Sequence, residues 1–138
     1  MNIARILYPV KVLGPGNRIG IWLSGCPRRC KGCSNPELWE WRSEFELSVS
    51  EVRKLIMKIA AASSVDGFTI SGGEPMVQAE ELAGLVDCLK TVSGDILIYT
   101  GYTYTSSRIW AIRRLCFLTA CKAFITHVKT AILRLLPN

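Results

Sequence analysis

The sequence predicts an α/β protein built from parallel βαβ units, and three observations carry that prediction. Three short apolar runs, residues 19–23, 67–71 and 95–100, read as buried strands. Each is cut off by glycine, at Ser24–Gly25, at Gly72–Gly73 and at Gly101. Between them lie two stretches with helical spacing. Strand, helix, strand, helix, strand is the order of a parallel sheet whose crossovers are right-handed.

Taken in order, the first strand runs directly into a loop holding Cys26, Cys30 and Cys33. The first helix opens at Ser48, where Glu51 three residues on completes a capping-box pattern. Val52, Leu55, Ile56, Ile59 and Ala60 then share one face, and the helix is expected to end near Ser63. The second strand ends in the turn SGGEP, residues 71–75. Residues 78–92 follow with helical spacing through Leu82, Leu85, Val86 and Leu89, and the third strand ends in YTGY. Parallel strands point one way, so these three loops are expected on one rim, where such sheets place their ligands.

The 138 residues suit one domain, 1–138, large enough to bury a core without staples. At 49% hydrophobic and 20% charged the composition is globular. No apolar run reaches the roughly 18 residues of a membrane span, and MNIARILYPVKVLGPG lacks the apolar core and cleavage site of a secretory leader. These features predict a cytoplasmic protein with no membrane partner. In that compartment the six cysteines, 26, 30, 33, 88, 116 and 121, read as metal-binding or free thiols before disulfides. Cys88, on an apolar helical stretch, reads as a small buried hydrophobe.

Charge divides the chain. Basic and acidic residues balance up to Asp95, and from Ile96 onward there are six basic residues and no acidic one, which accounts for the net +6. No recognition-helix or stacking pattern accompanies that excess, so a specific nucleic-acid partner is not expected.

Three thiolates are an incomplete set for a four-coordinate centre. A cubane iron-sulfur cluster held by three protein sulfurs keeps one iron open, while zinc completed by a remote ligand and a structural cysteine cluster stand as alternatives. The one histidine, His127, is far along the chain. In SGGEP two side chains are absent where the strand ends, so backbone groups can approach a small ligand closely, and Pro75 holds Glu74 extended. A plain turn accounts for a Gly-Gly pair equally well when it stands alone.

Together, LGPGNRIGIWLSGCPRRCKGCSNPELWEW, TISGGEPMVQ and ILIYTGYTY, spanning about residues 3–105, resemble the radical S-adenosylmethionine superfamily. The likeness is nearest to the small activases of the anaerobic class III ribonucleoside-triphosphate reductase. The resemblance implies a shortened partial (β/α) barrel and a 4Fe-4S cluster on Cys26, Cys30 and Cys33 whose fourth iron chelates S-adenosylmethionine. Gly72, Gly73 and Glu74 would cradle the methionyl end, and Tyr99, Thr100 and Gly101 would touch the rest. It further implies a flavodoxin-like electron donor, a 5'-deoxyadenosyl radical, and a glycyl radical generated on the partner reductase. No residue of the chain is assigned a catalytic role, because the chemistry belongs to the cofactor.

Other residues keep two readings. Gly14, Pro15 and Gly16 with Arg18 match the family's GPG-x-R segment, an exposed turn near the partner, or form a plain type II turn. Arg28, Arg29 and Lys31 offset cluster charge or solvate the loop, and Trp39 and Trp41 shield the loop or pack. Gly32 stands where many members carry an aromatic residue, which the reductase activases tolerate. After YTGYTY the likeness stops, and residues 106–138 form a divergent basic tail. Either a frame shift or truncation replaced the last strands and left a sheet edge open, or Trp110, Ile112, Leu115 and Phe117 with Arg108, Arg113 and Arg114 form a basic amphipathic segment. The alternatives to an activase are another small radical enzyme of this superfamily and a non-catalytic metal-binding remnant.

Overall fold

A computed structural model of the chain describes residues 1–102 and the backbone of 131–135. Seven regular elements result: β1 (Ile3–Val10), β2 (Arg18–Leu23), α1 (Val49–Ala61), β3 (Gly67–Gly72), α2 (Ala79–Leu89), β4 (Ile96–Thr100) and β5 (Ala131–Leu135). The strands form one mixed sheet in the order β1-β2-β3-β4-β5. Its centre is parallel, β2 with β3 and β3 with β4, and its two outer pairings are antiparallel. The α/β reading and all five elements predicted from periodicity are found, with ends shifted by a few residues.

Alternation within the strands sorts the two faces. Ile19, Ile21 and Leu23 of β2, Phe68 and Ile70 of β3, and Ile96 and Ile98 of β4 are all buried, in register with one another, and form one cluster with Val52 and Ile56 of α1 and Leu82, Leu85, Val86 and Leu89 of α2. The chain steps across the sheet in one direction, and right-handed crossovers then deposit both helices on the same face. The opposite face carries Arg18, Gly20, Trp22, Thr69, Ser71, Leu97 and Tyr99. Residues 11–17 fold back over part of it, where the Thr69 hydroxyl donates to the Leu13 carbonyl at 2.8 Å.

The helix α1 starts as its sequence requires. Ser48 Oγ accepts from Glu51 N–H at 3.2 Å, and Glu51 Oε2 accepts from Ser48 N–H at 2.8 Å. The Ser48 hydrogen bonds hold the Glu51 carboxyl below the usual carboxylate range. The pairing therefore adds stability above the ordinary glutamate value and loses it as pH falls through the lowered one.

Arg18 is fully buried and spends its guanidinium inside the protein. Nε donates to Thr69 Oγ1 at 2.8 Å, Nη1 to Pro15 O at 3.1 Å and Asp95 Oδ2 at 3.2 Å, and Nη2 to Phe68 O at 2.5 Å and Asp95 O at 2.9 Å. One side chain thus ties the GPG turn and the starts of β2, β3 and β4 together. The turn itself sits at the amino end of β2, opposite the cysteine loop.

Two features differ from expectation. Strand β1 was not legible because its apolar residues at 3, 6, 7 and 10 carry the i, i+3, i+4, i+7 spacing of a helix, and pairing with β2 makes it a strand. The outer edge of β4 is not open, since β5 pairs with it residue by residue from Ile96↔Leu135 to Thr100↔Ala131. Apart from that backbone, the readings of residues 106–138, with Cys116 and Cys121, lie outside the described residues.

Replacing Arg18 by methionine leaves buried carbonyls and Asp95 without their cation, so Arg18→Met is expected to lower unfolding free energy by about 3 kcal/mol in anaerobic urea titrations. Glu51→Gln is expected to lower the unfolding midpoint near neutral pH, with the difference from the wild type vanishing in strong acid.

Candidate metal and cofactor site

The cysteine loop is held by its backbone. As β2 ends, Gly25 N–H donates to Leu38 O at 2.9 Å and Cys26 N–H to Trp39 O at 2.8 Å, so the start of the loop is pinned to its own return limb. Ser24 Oγ adds a bond to Glu40 O at 2.7 Å. Within the loop Cys33 N–H donates to Cys30 O at 3.1 Å, closing a turn, and Asn35 N–H points at Cys33 Sγ at 3.4 Å, orienting that sulfur. Cys26, Cys30 and Cys33 are all free thiols, Cys30 exposed and the others half-buried.

The second strand brings the GGEP turn against the same loop. Gly73 N–H donates to Leu23 O at 2.8 Å and Glu74 N–H to Gly25 O at 3.0 Å. A Cβ on Gly73 would stand 2.5 Å from Gly25 O and 2.9 Å from Leu38 O, so the position admits only glycine while the two loops touch. Gly72, at φ +107°, has its missing side chain filled by the Leu23 backbone. These absent side chains thus make room first for protein. Glu74 is extended, as Pro75 requires. Glu74 is 1% exposed, and its carboxylate accepts from Met76 N–H at 3.0 Å, Thr100 Oγ1 at 2.6 Å and Gly101 N–H at 2.7 Å.

The end of β4 closes the third side. Cys26, Cys30, Cys33, Gly72, Gly73, Glu74, Tyr99, Thr100 and Gly101 all line one cleft of about 540 Å³. Every site residue singled out in the sequence is brought together there. Arg28, Lys31, Asn35, Trp39 and Ser71 also border it. Arg28 and Lys31 give the cleft two cations, whereas Arg29 turns away to pair with Glu40 beside the Trp39 ring. Trp39 joins the cleft, and Trp41 packs by Gly25 with its ring largely exposed. Cys88 is half-buried on α2, away from the cleft lining.

One supporting residue had no signal in the sequence. The buried side chain of Gln78 accepts from Asn2 N–H at 2.7 Å and donates to Ser24 O at 2.9 Å, tying the chain start to the root of the cysteine loop. A lone glutamine at a helix start looks like any surface polar residue until its partners are known.

The donor set decides what the cleft can hold. Soft sulfur ligands without histidine suit an iron-sulfur cluster. Among the described residues no three Cys, His, Asp or Glu side chains converge on a point fit for a single metal ion. Among the described residues the buried Trp39 Nε1–H has no hydrogen-bond partner, and Trp39 lines the cleft, leaving a donor to spare. Three thiols, two cations and an unspent donor fit a negatively charged cluster with three protein ligands.

Comparisons with known proteins agree with this chemistry. A family model described as a 4Fe-4S single cluster domain matches residues 12–126. The chain is 34% identical over 109 residues to the anaerobic ribonucleoside-triphosphate reductase-activating protein of Enterobacteria phage T4, covering 75% of this chain and 69% of the relative. It is 36% identical over 102 residues to the protein of the same name from Vibrio cholerae, covering 70% and 66%. To the pyruvate formate-lyase-activating enzyme of Clostridium pasteurianum it is 34% identical over 94 residues, covering 66% of this chain but 40% of that enzyme. With thiol loop, GGEP turn and β4 end gathered on one rim, the chain belongs to the 4Fe-4S single cluster domain family, among the radical S-adenosylmethionine glycyl-radical activases.

Proposed function

We propose that the chain generates a glycyl radical on an anaerobic ribonucleoside-triphosphate reductase, with Cys26, Cys30 and Cys33 as ligands of a 4Fe-4S cluster and S-adenosylmethionine at its open iron. What supports the ligand assignment is a single observation: the three thiols and the ends of β3 and β4 border the same cleft. The partner follows from the names of the phage and Vibrio relatives, which match over more of their length than the formate-lyase activator does. When bound and reduced, such a cluster would supply one electron for carbon-sulfur cleavage of S-adenosylmethionine, the chemistry needed to raise a glycyl radical on the partner.

The chain's own residues hold and enclose this chemistry. Arg28 and Lys31 offset the negative charge of thiolate ligands and of a substrate carboxylate. The turn Gly72–Gly73–Glu74 borders the seat of the methionyl end, and Tyr99, Thr100 and Gly101 border the remainder. Trp39 flanks the thiols and excludes water from that side. The one-sided placement of α1 and α2 suits a shortened partial (β/α) barrel whose concave face carries Trp22, Ser71 and Tyr99. A flavodoxin-like donor supplies the electron, and the chain works as one domain in the cytoplasm, where free thiols persist.

After anaerobic reconstitution the wild type is expected to hold about four irons per chain and to release 5'-deoxyadenosine under reduction. Cys30→Ala is expected to lose both. Iron and sulfide counting with product chromatography checks this, and undiminished product from Cys30→Ala would rule the ligand assignment out. Gly73→Ala, which drives a methyl group into Gly25 O, is expected to cost about 1–3 kcal/mol of stability and to lower iron loading, read from the same assay and from urea unfolding.

A further inference from the structure

A buried donor needs an acceptor, and one in this chain has none within the protein. Among the described residues, Trp39 Nε1–H is the one buried side-chain nitrogen or oxygen without a hydrogen-bond partner. An indole nitrogen only donates, so nothing but an acceptor relieves it, and leaving it unmet costs the full desolvation of the group. The Trp39 backbone is already committed: its carbonyl accepts from Cys26 N–H at 2.8 Å, and its N–H donates to Pro36 O at 3.2 Å. The residue therefore belongs to the return limb of the cysteine loop, and it borders the same cleft as Cys26, Cys30 and Cys33. The Arg29 guanidinium stands over its ring, 6.0 Å from the centroid. A cation on the face of an indole leaves the N–H, which lies in the ring plane, free to donate. The loop already shows one contact of the matching kind, Asn35 N–H pointing at Cys33 Sγ at 3.4 Å.

We propose that Trp39 Nε1–H donates to a sulfur of the bound cluster and holds its reduction potential up, a second N–H···S bond beside that of Asn35. The inference rests on the proposed three-cysteine cluster, and it gives Trp39 a part in setting how readily that cluster accepts its electron. The ends of β3 and β4 form the other walls of the cleft, whereas Trp39 shares its wall with the thiols, so sulfur is the acceptor its position favours. The added electron places negative charge on the sulfurs, and a donor there stabilises the reduced form more than the oxidised one.

The test uses the reconstituted chain without S-adenosylmethionine and reads the cluster itself. In a redox titration followed by electron paramagnetic resonance, Trp39→Phe is expected to load as much iron as the wild type and to have a lower midpoint. The reduced-to-oxidised ratio at a fixed potential falls about tenfold, or about 59 mV for one electron, the order expected for one hydrogen bond to a charged group. In the reduced wild type carrying indole labelled with heavy nitrogen, pulsed resonance is expected to show that nitrogen coupled to the cluster. The coupling is expected to vanish in Trp39→Phe and to persist in Trp41→Phe. An unchanged midpoint in Trp39→Phe, no nitrogen coupling in the wild type, or a coupling lost in Trp41→Phe would each overturn the inference. A coupling that arises only once S-adenosylmethionine is added would overturn it too, by giving the donor to the cosubstrate. Should Trp39→Phe fail to fold or to load iron, the labelled wild type and Trp41→Phe decide alone. A wild type that forms no cubane would instead remove the underlying reading, and the inference with it.

Discussion

At the carboxyl ends of β2 and β3 two backbone segments meet with no side chain between them, and the cleft exists because of that contact. Gly73 N–H reaches Leu23 O and Glu74 N–H reaches Gly25 O, so the thiol loop and the GGEP turn are joined by main-chain hydrogen bonds. The geometry leaves no room for a Cβ at Gly73. The paired glycines therefore serve the protein before they serve any ligand. They let the cysteine loop be positioned by the sheet, which is rigid, in place of its own exposed side chains, which are not.

The two ends of the parallel strands divide the work. At the amino ends Arg18 spends its whole guanidinium on β3, β4 and the GPG turn, a buried cation compensated by carbonyls and by Asp95. At the carboxyl ends Glu74 does the complementary task, its buried carboxylate accepting from Met76 N–H and, at the end of β4, from the Thr100 hydroxyl and Gly101 N–H. Both groups fix spacing between neighbouring strands. The hydrophobic cluster under α1 and α2 supplies the driving force for folding, and these two polar clamps supply its register.

Much of this was written in local pattern. Ser48 and Glu51 announce α1, glycines end β2, β3 and β4, and parallel βαβ order alone sends the cysteine loop, GGEP and YTGY to one rim. What stayed hidden depends on distant partners. Strand β1 has no alternation of its own and is defined by β2. Gln78 matters only because Asn2 and Ser24 lie on either side of it. The hydrogen bonds of the Glu74 carboxylate to Thr100 and Gly101 stayed hidden as well, because those donors come from the end of β4. The pairing of β5 with β4 lay beyond pattern reading too, since the segment that contains it has neither helical nor alternating periodicity.

The central claim is that three protein sulfurs hold a cubane and leave one iron to the cosubstrate. Mössbauer spectroscopy of the chain loaded with enriched iron, recorded before and after S-adenosylmethionine is added, reads that iron directly. The expected result is a cubane spectrum in which one site of about four changes its parameters on addition while the others hold. A mononuclear spectrum, or a cubane whose sites all ignore the addition, would contradict it.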